Sequence, residues 1–213
     1  MKIRMFFMLA LLFAVIAGCE SETKGGEESA ENTTENTESA EATENAEAGG
    51  AYMVDVGQSV IKWTGSKTEE DDTHTGEIKL KDGKLEMDAE GNLTGGSFSI
   101  DMLSLINTDL EGGMKGDIET HLKSADFFDV DQFGTATFMI KEAKADAEAG
   151  GYMITGEMKV KDLSQEITFM AMVAEEGGKV QANADIELTQ EDMGLQAFPA
   201  KIMLSVNLMA NKG

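Results

Sequence analysis

Few side chains in this sequence could do chemistry. It carries one cysteine, Cys19, and two histidines, His74 and His121, among 40 aspartates and glutamates. Carboxylates at that density can be paired with a histidine on paper to draw a metal site. Neither histidine has a second one at helical or hairpin spacing, however, and Cys19 is remote from both, so the ligand spacing of a zinc site is missing. Asp126, Asp129 and Asp131 imitate the opening of a calcium loop, but the central glycine is absent and the twelfth position is Thr137, where a bidentate glutamate belongs. No serine lies in a Gly-x-Ser-x-Gly elbow. No catalytic, metal or cofactor site is expected. His74 is then a hydrogen-bonded residue at a strand start. His121 closes a helix near its C-terminus, where the helix end would stabilise a positive imidazole. Asp126 and Asp129 organise a turn, while Phe127 and Phe128 plug the core or a barrel end.

Cys19 has the clearest chemistry. Lys2 and Arg4 precede an uncharged apolar run over residues 5–17, and Ile16-Ala17-Gly18 leads directly into the thiol. Thirteen apolar residues rise about 20 Å as a helix, short of a hydrocarbon layer of about 30 Å, so the segment reads as a cleaved export signal over residues 1–18. Ile16-Ala17-Gly18-Cys19 resembles the bacterial lipobox, which implies diacylglycerol on the sulfur and acylation (palmitate or similar) of the new N-terminus. One acyl chain holds a protein marginally, and two or three hold it stably. Glu20, in place of Asp, resembles the pattern of lipoproteins sent on to an outer membrane. The expected location is the cell envelope, lipid-anchored.

Residues 20–50 contain ten glutamates against Lys24, with no aromatic, leucine, isoleucine or valine. Such a segment cannot bury enough apolar surface to offset ordering, so residues 19–50 are read as a disordered acidic tether with a reach of about 30 Å. Residues 51–213 hold 30 acidic residues and 14 lysines and no arginine. A domain so negative lacks the basic footprint that phosphate binding needs, which argues against nucleic acid or anionic headgroups as partners. Its length suits one sizeable core. Oligomeric state is not legible.

The elements that would position these residues are mostly strands. Period-2 alternation recurs over residues 61–64, 74–80, 84–87, 97–101, 135–141, 152–160, 167–173, 180–188 and 201–209, with Asp82-Gly83 read as a turn. Leu110, Met114, Ile118 and Leu122 repeat every four residues and predict a helix, firmest over 114–122. Residues 189–195 form a polar break with room for one helical turn, and Pro199 belongs to a loop or strand start. Antiparallel sheet of this extent closes as a barrel or packs as a sandwich.

Several strings carry a resemblance. Tyr52-x-Val54-Asp55 is followed by Ser59-x-Ile61-Lys62-Trp63-x-Gly65-x-Lys67, then His74-x-Gly76. Gly95-Gly96-x-Phe98-x-Ile100-Asp101-Met102 comes next. The sharpest is His121-Leu122-Lys123-Ser124-x-Asp126-Phe127-Phe128-Asp129-Val130, which leads to Phe133-x-x-Ala136-x-Phe138. Together they resemble the YceI family of lipid/polyisoprenoid-binding domains over essentially all of residues 51–213. The chain departs from the family pattern at Met158-Lys159-Val160-Lys161-Asp162-Leu163-Ser164 and at Gln190, where an arginine is usual. The resemblance implies an extended, lipocalin-like antiparallel barrel of about eight strands with an apolar lumen for a long isoprenoid or related lipid.

Trp63, Phe98, Ile100, Phe138, Ile154, Phe169, Ile202 and Leu204 are the principal inward-facing candidates for that lumen. Alternation alone does not distinguish a filled barrel from a hollow one. Two functions follow: a tethered lipid-binding barrel, or a structural or protein-interaction lipoprotein with no obligatory ligand.

Overall fold

In the computed structural model the described residues are 49–66, 73–193 and 201–213, apart from the side chains of residues 190 and 191. The export signal, Cys19 and nearly all of the acidic segment lie outside them, as do Leu195 and Pro199. The alternating runs become β1 (Gly50–Val54), β2 (Val60–Ser66), β3 (Thr73–Met87), β4 (Leu93–Asn107), β5 (Thr135–Asp146), β6 (Gly151–Val160), β7 (Leu163–Glu176), β8 (Lys179–Thr189) and β9 (Lys201–Lys212). Helix α1 spans Gly112–Lys123, and α2 is a single turn, Gln190–Met193.

Nine strand segments make eight lanes. β1 and β2 each pair antiparallel with both β3 and β9, β1 at Met87–Lys84 and Lys212–Ala210, β2 farther along both partners. They are one interrupted strand. β3 to β9 then pair in sequence order, always antiparallel, and the circuit closes as a barrel. The break between β1 and β2 is held by local polar groups. Asp55 accepts from the backbone N–H of Gly57 and Gln58 and from the Gln58 amide, at 3.0, 3.2 and 2.6 Å. The Gln58 bond, followed by the backbone bonds, holds its carboxyl below the usual carboxylate range. Buried Ser59 Oγ accepts from the Met209 N–H at 3.0 Å, so a hydroxyl stands in for the missing rung.

Two expectations need correction. Asp82-Gly83 is not a turn: β3 continues through it. Leu80 opposes Ile100 and Asp82 opposes Ser99, so Lys81 is the extra residue of a bulge. The inward phase shifts there from Ile78 and Leu80 to Gly83, Leu85 and Met87. Asp82 points outward and accepts from Ser99 Oγ at 2.9 Å, which a turn residue at a hairpin tip could not do. The helical stripe is also only half engaged. Leu122 is buried and Ile118 packs on the core, whereas Met114 is 66% exposed, because α1 lies across the barrel end by its last turns. The one-turn reading of the polar break holds: Thr189 N–H and Oγ1 both donate to Asp192, each at 2.7 Å.

Candidate ligand-binding lumen

Inward side chains on all eight lanes converge on one axis, but they do not fill it equally. At the end carrying the β3–β4 hairpin, Tyr52, Met87, Val180 and Ala210 are buried and close the interior. Between that plug and α1 lies a cavity of about 190 Å³, room for roughly a dozen water-sized spheres, and no polar atom contributes to its surface. The barrel is hollow. Trp63, Phe98, Ile100, Phe138, Ile154, Phe169, Ile202 and Leu204 all border this space. Trp63, Phe98, Ile154 and Ile202 are buried, and the other four are half-buried.

Two glycines seat the aromatic side chains. Trp63 opposes Gly76, where a Cβ would lie 2.4 Å from the indole and 1.9 Å from the Ile106 carbonyl oxygen. The ring occupies that space, and Nε1 donates to the same carbonyl at 3.2 Å. Phe98 opposes Phe138, with ring centroids 6.4 Å apart. Phe138 then reaches over Gly156 of β6, where a Cβ would lie 2.4 Å from its Cζ, and meets Phe169 at 5.5 Å. A belt of three rings thus crosses the wall from β4 to β7.

The helix end is held by a polar cluster outside the lumen. Asn107, 0% exposed, donates from Nδ2 to the Thr75 carbonyl at 3.1 Å and to Asp109 at 2.7 Å, and its Oδ1 accepts from the Leu110 N–H at 2.8 Å. Asp109 also accepts from the Thr75 N–H at 2.7 Å and pairs with His74 Nδ1 at 3.0 Å. Burial opposes ionisation of Asp109, but the bonds from His74, Thr75 and Asn107 outweigh it and hold the carboxyl below its usual range. His74 and Gly76 therefore have separate tasks, one pinning the loop before α1 and the other making room for Trp63.

The string from His121 to Val130 is a plug. Leu122, Phe127, Phe128 and Val130 are buried, and Leu122 and Phe128 reach the cavity wall. The exposed His121 ring packs edge-on against Phe127 at 4.9 Å, in the last turn of α1. Asp126 is exposed. Asp129 takes a left-handed backbone, φ 46°, and its Oδ2 accepts from Gln132 Nε2 at 2.8 Å. Lys161, in the departing stretch at the β6–β7 turn, donates to the Phe127 carbonyl at 2.9 Å and ties the plug to the wall. The side chain of Gln190 is outside the described residues.

Strand alternation alone missed part of the lining. Met102 and Leu105 reach the cavity from an irregularity in β4, where Glu77 opposes Ile106 but Lys79 opposes Asp101. Met102 keeps the phase of Phe98 and Ile100, but the period breaks beyond it, so alternation does not flag Leu105. Met193 arrives from the single turn of α2. Among the described residues no group of three or more His, Cys, Asp or Glu is placed to hold a metal, and no helix is long and apolar enough to cross a membrane.

Residues 52–211 match the YceI-like domain. The chain belongs to the YceI-like family. It is a barrel able to take a hydrophobic ligand such as a lipid. Solved YceI-like and related structures share the fold at low identity. Burkholderia cenocepacia BcnA superposes with a TM-score of 0.61 at 18% identity, covering 74% of this chain and 99% of that one. A polyisoprenoid binding domain from Saccharophagus degradans, implicated in plant cell wall breakdown, gives 0.56 at 13%, covering 77% and 99%. The Campylobacter jejuni YceI protein gives 0.51 at 17%, covering 63% and 83%. No curated protein sequence matches.

Proposed function

We propose that this chain is a membrane-tethered carrier or store for one long apolar lipid, polyisoprenoid-like in outline, held in the barrel lumen. The hollow interior with its wholly apolar surface carries the reading, because a cavity without polar partners excludes water poorly satisfied there and favours hydrocarbon. The family to which the chain belongs supports it, as does the polyisoprenoid binding of the Saccharophagus degradans domain. Selectivity follows from lumen girth, so lipids of similar width compete. Cys19 anchors the chain through its acyl groups, and residues 20–50 space the barrel from the headgroups in the cell envelope, the outer membrane in particular.

Native mass spectrometry of the full chain purified from an envelope fraction, followed by organic extraction, tests the ligand. The expected result is a bound mass released by solvent and lost in a folded Phe138→Asp variant. A ligand-free protein that also takes up no prenyl lipid or fatty acid defeats it and leaves the structural or interaction role in front. Cys19→Ser should shift the protein from the membrane to the soluble fraction and remove the acyl mass; unchanged partition with unchanged mass would sink the anchor.

A further inference from the structure

Among the described residues the barrel wall has an open seam between β7 and β8. β6 and β7 pair along their full length to Leu163, and β8 and β9 pair to Thr189. β7 and β8 pair only where residues 171–176 face residues 179–184. Carried onward, that register would set Met170 against Asp185, Phe169 against Ile186 and Thr168 against Glu187, and none of these rungs is formed. Half of each strand is thus a sheet edge inside a barrel, where closure normally removes edges.

The lumen shows through at this place. Ile167, Phe169, Ala184 and Ile186 border the cavity and are half-buried, as are Ile100 and Phe138 of β4 and β5 and Leu204 and Val206 of β9, whereas Ile61, Trp63, Ile78 and Leu80 of β2 and β3 are buried. Outside, Met170 and Met172 line a groove with Asn183, Ala184 and Val206, and those last three also border the lumen. Among the described residues the rims make no hydrogen bond or ion pair across the gap, although α2 packs against both β7 and β8. Glu166 pairs with Lys141 of β5 at 3.6 Å, and Glu187 pairs with Lys201 of β9 at 3.1 Å, so each is drawn away from the seam. Asp185 likewise bonds Ser205 of β9.

We infer that lipid passes into and out of the lumen sideways, between residues 163–170 of β7 and 185–189 of β8, with Met170 and Met172 as an apolar outer threshold. The inference rests on the lumen being the lipid site. The seam joins the cavity, past Ala184 and Val206, to a groove lined by Lys62, Asp185, Ser205 and Asn207 as well as by Met170 and Met172, and flexible thioether side chains suit a surface over which chains of differing shape must slide. The hairpin end, plugged by Tyr52, Met87, Val180 and Ala210, offers none.

The test locks the seam in the full chain carrying Cys19→Ser. Thr168→Cys with Glu187→Cys, oxidised, joins the rims. Ala174→Cys with Gln181→Cys places a matched tether in the part of the β7–β8 ladder already formed. Uptake of a fluorescent polyene fatty acid should slow at least about tenfold in the oxidised seam variant, recover on reduction, and stay unchanged with the control tether. If the rims fail to oxidise, a bis-maleimide bridge between the same cysteines gives the same comparison. Uptake at full speed through a locked seam, with the bridge verified by mass, overturns the lateral route and leaves the lipid site intact. A parent chain that takes up no probe overturns both.

Discussion

Two arcs of one wall are built in different ways. From the β1/β2 lane to β6, glycines sink aromatic rings into the wall and buried polar groups are matched, although β4 and β5 share only the rungs between residues 96–101 and 135–140. Between β7 and β8 the alternation of apolar and polar residues is just as clean, yet half the ladder is absent. Side-chain pattern therefore decides which face of a strand is dry, while the partnering of its backbone is decided by closure of the whole circuit. The first arc is built for rigidity, and the second leaves an edge where the interior can be reached.

The sharpest way to break this contrast is to fill the space under Trp63. Gly76→Ala should cost about 3 kcal/mol, since its Cβ would meet backbone as well as the ring and the wall has little freedom to yield. Urea unfolding monitored by tryptophan fluorescence reads it, and an unchanged midpoint would show that the arc is softer than argued. Next comes Asn107→Ala, expected to lose about 2 kcal/mol by leaving the Leu110 N–H without its acceptor and removing the amide that donates to Asp109. Truncation of lumen residues compares the arcs directly. Ile186→Ala at the seam should cost about 1 kcal/mol, clearly less than Ile78→Ala on the buried side, because half-exposed methylenes have less transfer energy to lose. Equal losses in calorimetry would mean that the seam is packed shut.

The smallest effect is electrostatic. Asp109 is held below its ordinary value of 3.8, so its contribution is present above that pH and disappears as pH falls through the lowered value. With its side chain 30% exposed, screening keeps the contribution under about 1 kcal/mol. The urea midpoint of the parent should fall more steeply below pH 3.8 than that of Asp109→Asn; parallel acid limbs would remove the charge from the account.

Much of the wall was legible because inward positions repeat every second residue, and the eight proposed lumen residues do lie along the cavity. The bulge at Lys81 was not, since Asp82-Gly83 has turn chemistry that a strand partner overrode. The irregular stretch of β4 breaks the very period by which strands are recognised. Met114 fitted a helical stripe, but a stripe says nothing of how far along it the helix meets the barrel. Nor could sequence show the hollow or the seam: a filled barrel, a hollow one and a split one present the same alternation.

The shared lane of β1 and β2 has a consequence in time. Its partner β9 is the last strand of the chain, and the bond between Met209 and Ser59 joins residues 150 apart. Circuit closure must therefore wait for the final strand, and contacts this remote are slow to form because the long intervening chain has to be drawn together first. A polypeptide emerging from the ribosome would hold strands without a finished barrel until β9 has been made. For a chain proposed to be exported, that delay keeps it threadable through a translocation channel, with locking into shape deferred to the far side.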